Sequence, residues 1–161
     1  MMQSFQKFVR LGRREKRVVL RAFWLLLIYP ILRRKLTMPQ LVAFYSNAKV
    51  GALNGVLPER LLALVQTLLR IRIRPLHPNC MKQSLVMYHF LRSENYPVSL
   101  IFGVAKTADG GIDGHAWICL NGEPFGEVDD PLSKFTVTLR YPAIESRSDI
   151  AENTARKMPA R

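Results

Sequence analysis

Residues 79–92 read NCMKQSLVMYHFLR and combine a helix start with an apolar helical face. Asn79 is a favoured N-cap residue, so Cys80 takes the first helical position. Four residues at helical spacing then share one face: Leu85, Val86, His89 and Phe90. This pattern predicts a buried helix from Cys80 to about Arg92.

Beyond this helix the sequence is typical of strands. Four segments alternate or are rich in β-branched residues: Val98 to Val104, His115 to Leu120, Glu123 to Val128 and Phe135 to Leu139. Asn121-Gly122 separates the second and third of them and is a strong hairpin signal. The chain is therefore predicted to be α+β, with the cysteine-bearing helix packed on an antiparallel sheet.

The first half of the chain is helical by pattern and strongly basic. Helices are predicted over residues 4–35, from Pro39 and from Pro58 to about Arg70. Residues 1–74 carry 15 Lys and Arg against 2 acidic residues, whereas residues 75–161 carry 9 against 10. We therefore predict a basic helical subdomain over 1–74, a core domain over 75–144 and a polar, flexible tail over 145–161. A basic half indicates an acidic partner.

Composition also bears on location. Ala22 to Leu32 is an uninterrupted apolar run of 11 residues that includes Pro30, which is too short for a membrane-spanning helix. The run predicts a buried helix with basic flanks, and the alternative is a helix lying on a membrane surface. Two cysteines make no disulfide framework, so the expected compartment is the reducing cytoplasm, with peripheral contact at the inner face of a membrane as the variant.

Several functional classes lack their sequence signals. Neither a CxxC nor an HExxH motif occurs, so no metal site is predicted, and no phosphate-binding loop is present for ATP. No cofactor is therefore expected from the sequence. Nucleic-acid binding is disfavoured because the aromatic residues near the basic ones, such as Trp24 and Phe44, lie in apolar runs.

The chemistry is carried by Cys80 and by His115, which follows it by 35 positions. Backbone N–H groups at a helix N-terminus stabilise a thiolate and a developing oxyanion. An imidazole nearby can take the thiol proton and deliver it to a leaving group. Three carboxylates could orient that imidazole: Glu127, Asp129 and Asp130. Two further residues are candidates for the oxyanion site or the site lining: Asn79 and Trp117. Cys119 is predicted to be a core thiol.

The motifs resemble a known family. Residues 79–85, the strand from Val98 to Val104 and Gly114-His115-Ala116-Trp117-Ile118 are similar to the transglutaminase-like cysteine proteases of lasso-peptide biosynthesis, in particular to the stand-alone protease half of the split B protein. The Arg-rich segment before the Leu-rich first helix extends the resemblance to about residues 8–140. It implies a transglutaminase- or papain-like core with a Cys-His-Asp triad, in which the position of the aspartate falls at Glu127.

The resemblance also implies a role and partners. The chain would remove the leader from a ribosomally made precursor, together with a separate leader-recognition protein and the lasso cyclase. Two alternatives remain open from the residues. One is acyl transfer to an amine, as in transglutaminases proper. The other is a non-catalytic module whose basic helices bind a membrane or a protein.

Overall fold

The computed structural model describes residues 11–47, 55–70 and 79–142, and within them the helices lie where the sequence predicts. They are α1 (Arg13–Lys35), α2 (Met38–Ser46), α3 (Pro58–Leu69) and α4 (Cys80–Ser93). The N–H of Gly12 donates to Glu15 at 3.0 Å and the N–H of Thr37 donates to Gln40 at 2.9 Å. Each bond pairs the N–H of the N-cap residue with the side chain three residues later, and the two bonds mark the starts of α1 and α2.

The four strands are β1 (Val98–Lys106), β2 (Ile112–Leu120), β3 (Glu123–Phe125) and β4 (Thr136–Tyr141). They form one antiparallel sheet in the order β3-β2-β1-β4. Asn121 and Gly122 both adopt positive φ, 54° and 93°, which is the geometry of the predicted two-residue hairpin turn. The third strand is shorter than predicted because Gly126 turns the chain at φ 80°.

The core lies between the helices and one face of the sheet. One apolar cluster includes residues of all four helices and of β1 and β2. Buried polar groups tie α2 into it: the Tyr45 hydroxyl donates to the Leu25 carbonyl at 2.8 Å, and His89 Nδ1 bonds the Tyr45 carbonyl at 2.9 Å. The predicted α+β class, with the cysteine-bearing helix packed on an antiparallel sheet, is confirmed.

Some predictions fall outside the described residues. They concern the boundary near residue 74, the helical residues before 11 and the tail from 145. In the described part of the chain, α1 included, no helix combines the length and the apolar character needed to cross a membrane.

Candidate active site

Cys80 is the first residue of α4. The side-chain oxygen of Asn79 accepts a bond from the N–H of Met81 at 2.8 Å, which is the N-cap that the sequence predicts. The cap leaves other first-turn N–H groups without helical partners, directed along the helix axis beyond Cys80. The thiol is partly exposed and lies 3.8 Å from the same Asn79 oxygen.

A pocket of about 440 Å³ opens beside the thiol. It lies between the end of α3 and the start of α4 and is lined by Gln66, Leu69, Arg70, Asn79, Cys80 and Gln83. Arg70 is exposed and forms no ion pair with an acidic residue of the described part of the chain. One cation and three carboxamide side chains line the pocket and can donate hydrogen bonds, so the pocket suits a carbonyl or carboxylate group next to the thiol.

The packing of α4 on β2 sets which end of the strand Cys80 approaches. The Ser84 hydroxyl, one helical turn after Cys80, donates to the Ala116 carbonyl at 2.8 Å. After α4 the chain continues to Pro97. The carbonyl of Pro97 accepts a bond from the N–H of Asn121, which directly follows the C-terminal end of β2. The helix and β2 therefore run in the same direction, and Cys80 lies toward the His115 end of the strand.

His115 is held by a carboxylate. Its Nε2 lies 2.9 Å from Glu127 Oε2, so the tautomer that is protonated at Nε2 donates to the carboxylate. The bond fixes the orientation of the imidazole. The two side chains are 24% and 20% exposed, which leaves them accessible to water. Nδ1 of His115 forms no hydrogen bond with any residue in the described ranges, so it is the nitrogen that is free to accept a proton from a thiol.

Two aromatic rings fix the plane of the imidazole. Trp117 is fully buried and stacks on the imidazole of His115, with 5.8 Å between the ring centroids. Phe135 also stacks on the imidazole, with 5.1 Å between the centroids. Gly103 pairs with His115 across the sheet, and a Cβ on it would lie 2.9 Å from both Trp117 and Phe135. A glycine is therefore required for the close approach of these rings. Phe135 and Gly103 were not predicted to belong to the site, although a glycine inside a strand is a signal of such a close approach.

The backbone conformation of Gly126 determines where the side chain of Glu127 lies. It has a φ of 80°, and a Cβ there would lie 2.8 Å from the Leu62 side chain of α3. Only glycine adopts this conformation without strain and leaves room for Leu62. The chain after β3 is therefore directed so that the carboxylate of the next residue reaches back to His115.

The thiol and the imidazole are not hydrogen-bonded to each other in this structure. Ala116 and Ile118 of β2 face the helices in the main core, whereas His115 shares the opposite strand face with Trp117 and Cys119. Cys80 and His115 thus belong to the same end of the sheet but approach it from different sides. Such catalytic bonds are often long without substrate and shorten in the complex.

The other sequence candidates have different surroundings. Asp130 accepts a bond from Leu132 N–H at 3.0 Å and caps a short turn, and Asp129 is exposed with no polar contact to the described residues. Cys119 is buried, and burial raises the pKa of its thiol. Burial lowers the pKa of His89 to about 4, so this core histidine is neutral at physiological pH.

Among the described residues no group of three or more His, Cys, Asp and Glu could hold a metal ion.

Comparison with known proteins gives one result. A family model described as the transglutaminase-like superfamily matches residues 25–140, which is most of the chain and spans the whole of the site from Cys80 to Glu127. No curated protein and no solved structure matches the chain. A cysteine at the start of a helix packed on an antiparallel sheet and a histidine on that sheet agree with this family. The chain belongs to the transglutaminase-like superfamily.

Proposed function

We propose that the chain is a cysteine peptidase that removes the leader from a ribosomally synthesised lasso-peptide precursor. The observation that carries the enzymatic part is the 2.9 Å bond between His115 and Glu127 at the strand end toward which Cys80 is directed. The leader-peptidase part rests on the resemblance of residues 79–85 and of Gly114-His115-Ala116-Trp117 to that family.

In the first half of the reaction the Cys80 thiol gives its proton to Nδ1 of His115 and the sulfur attacks the carbonyl carbon of the scissile amide. The carbonyl oxygen becomes an oxyanion that first-turn N–H groups of α4 can bind. When the carbon–nitrogen bond breaks, the imidazolium donates its proton to the departing amine, and the acyl group remains on sulfur as a thioester. Glu127 keeps the ring oriented and stabilises its positive charge throughout.

In the second half a water molecule attacks the thioester while His115 accepts its proton, and the carboxylic acid and the thiol are released. The exposure of His115 and Glu127 favours water over an amine as the acceptor, because acyl transfer requires that water be kept from the acyl-enzyme. Hydrolysis is therefore the favoured outcome of this site, and acyl transfer is the competing one.

The test uses purified chain, the candidate precursor peptides and the separate leader-recognition protein that the resemblance implies. Product masses are read by mass spectrometry with and without an added amine. Hydrolysis yields leader and core whose masses sum to precursor plus one water, whereas acyl transfer yields an amine adduct. Cys80→Ala and His115→Ala should abolish processing, and Cys119→Ser should retain it.

Processing by the Cys80→Ala variant would show that another group performs the chemistry. Absence of any product, with the wild-type chain folded and the recognition protein present, would favour the non-catalytic binding module. An amine adduct in place of the free acid would assign the chain to acyl transfer.

A further inference from the structure

The outer face of α1 carries an apolar stripe that no described residue covers. Leu20, Trp24 and Ile31 are 58%, 56% and 57% exposed, although each is a large apolar side chain. At 100° per residue all three lie within about 40° of one another around the helix, and half-buried Leu27 lies between them. At 1.5 Å per residue the stripe is about 16 Å long.

Basic residues flank this stripe at both ends. Arg13 and Arg17 precede it, and Arg34 and Lys35 follow it, all exposed and all within about 60° of the same helical direction. None of the four forms an ion pair with an acidic residue within the described ranges. The single acidic residue of α1, Glu15, is turned away from this face and pairs with Arg60 at 2.5 Å.

The stripe faces away from the candidate active site. Tyr29 lies on the opposite, buried side of α1, where the Lys82 ammonium sits over its ring at 5.6 Å, and the nearby Cys80 thiol adds to the rise in the pKa of Tyr29 that burial chiefly causes. Because a helix with its side chains is about 10 Å across, a flat surface against the stripe leaves the thiol accessible.

We infer that the outer face of α1 docks this protein on an anionic lipid surface. An apolar stripe with a tryptophan at its centre and unpaired Arg and Lys residues at its ends matches a helix that lies in the interface plane. Its apolar side chains enter the acyl boundary while the cations contact acidic headgroups. The uniform positive sign favours an anionic bilayer over an apolar protein groove. This inference is independent of the proposed peptidase activity.

The experiment is flotation of the full chain with vesicles of phosphatidylcholine, with and without about 30% phosphatidylglycerol, at low salt and at 0.5 M salt, where charges are strongly screened. The expected result is binding to the anionic vesicles, weakened at high salt. A Leu20→Gln/Ile31→Gln variant should bind at least about tenfold more weakly. An Arg34→Gln/Lys35→Gln variant should bind the anionic vesicles more weakly, because two of the four cations are removed.

A matched control is Val104→Gln/Leu139→Gln, which removes two exposed apolar side chains from the sheet. It should bind like the wild-type chain. Binding should also shift the fluorescence of exposed Trp24 to the blue, and Trp24→Phe should abolish the shift because Trp117 is already buried. Circular dichroism and the alkylation rate of Cys80 verify that each variant is folded.

Three results would overturn the inference. The first is no flotation of the folded chain with anionic vesicles at low salt. The second is equal loss of binding in the stripe variant and the sheet control. The third is a dimer in solution that the stripe variant converts to monomer while neither protein floats, because a second copy of the chain would then cover the face.

Discussion

The Glu127 carboxylate offers the sharpest test of the site, because its contact with His115 is a single bond of 2.9 Å. Glu127→Ala removes the bond, and Glu127→Asp shortens the side chain by about 1.5 Å, one carbon–carbon bond. The Gly126 backbone packs against Leu62, so the chain cannot move inward to restore the contact. A hydrogen bond to a charged group contributes about 1.5–3 kcal/mol, and partial exposure places this one at the lower end.

We expect Glu127→Ala to slow both leader removal and the alkylation of Cys80 about tenfold, since 1.4 kcal/mol corresponds to a factor of ten. Glu127→Asp should behave similarly. The assay is the rate of iodoacetamide labelling followed by peptide mass spectrometry over a pH series, with Cys119 of the same chain as internal reference. Asp129→Ala and Asp130→Ala are the matched controls and should label like the wild-type chain.

The reasoning fails if Glu127→Ala labels at the wild-type rate while His115→Ala labels slowly. In that case the imidazole would act without this carboxylate. If Asp129→Ala instead produced the tenfold loss, the loop after β3 would have to rearrange, because Asp129 has no polar contact to the described residues here. Equal, slow labelling of both cysteines in the wild-type chain would remove the basis for coupling Cys80 to His115.

Three further predictions concern the surroundings of the site. Gly103→Ala should lower the free energy of unfolding by about 1–3 kcal/mol in urea titrations and slow Cys80 labelling, because its methyl group would displace Phe135 from the imidazole. The pKa of His89 is about 4 in the folded state, so the unfolded state binds a proton first as the pH falls. The free energy of unfolding should therefore fall by about 2 kcal/mol between pH 7 and pH 5. His89→Asn cannot titrate and should abolish most of this pH dependence. Arg70→Gln should lower the ratio of iodoacetate to iodoacetamide labelling at Cys80 about fivefold, the effect of one nearby cation, whereas an unchanged ratio would place the guanidinium outside the pocket.

Local signals in the sequence were sufficient to predict the elements that carry the site. A capping residue before Cys80, β-branched alternation and an Asn-Gly turn all act within a few residues, so they predicted α4 and the hairpin. The third strand ended early for an equally local reason, the positive φ of Gly126. Of the two rings on His115, Trp117 was a candidate from the sequence and Phe135 was not, because Phe135 reaches the imidazole from a later part of the chain that only the fold brings near.

The position of Cys80 relative to His115 depends on how α4 packs on β2 and not on local sequence signals. Alternation along β2 assigns His115 to the face of Cys119, and the structure agrees, yet the same alternation turns the imidazole away from the face on which α4 packs. Cys80 can meet it only at the end of the sheet, where α4 begins and the helix no longer covers the strand. Under the proposed function, a peptide bound in the pocket lined by Arg70 and Cys80 would occupy this end, and we expect the thiol and the imidazole to approach each other in that complex. Labelling of Cys80 by a peptide-based electrophile should therefore depend on His115 more strongly than labelling by iodoacetamide does.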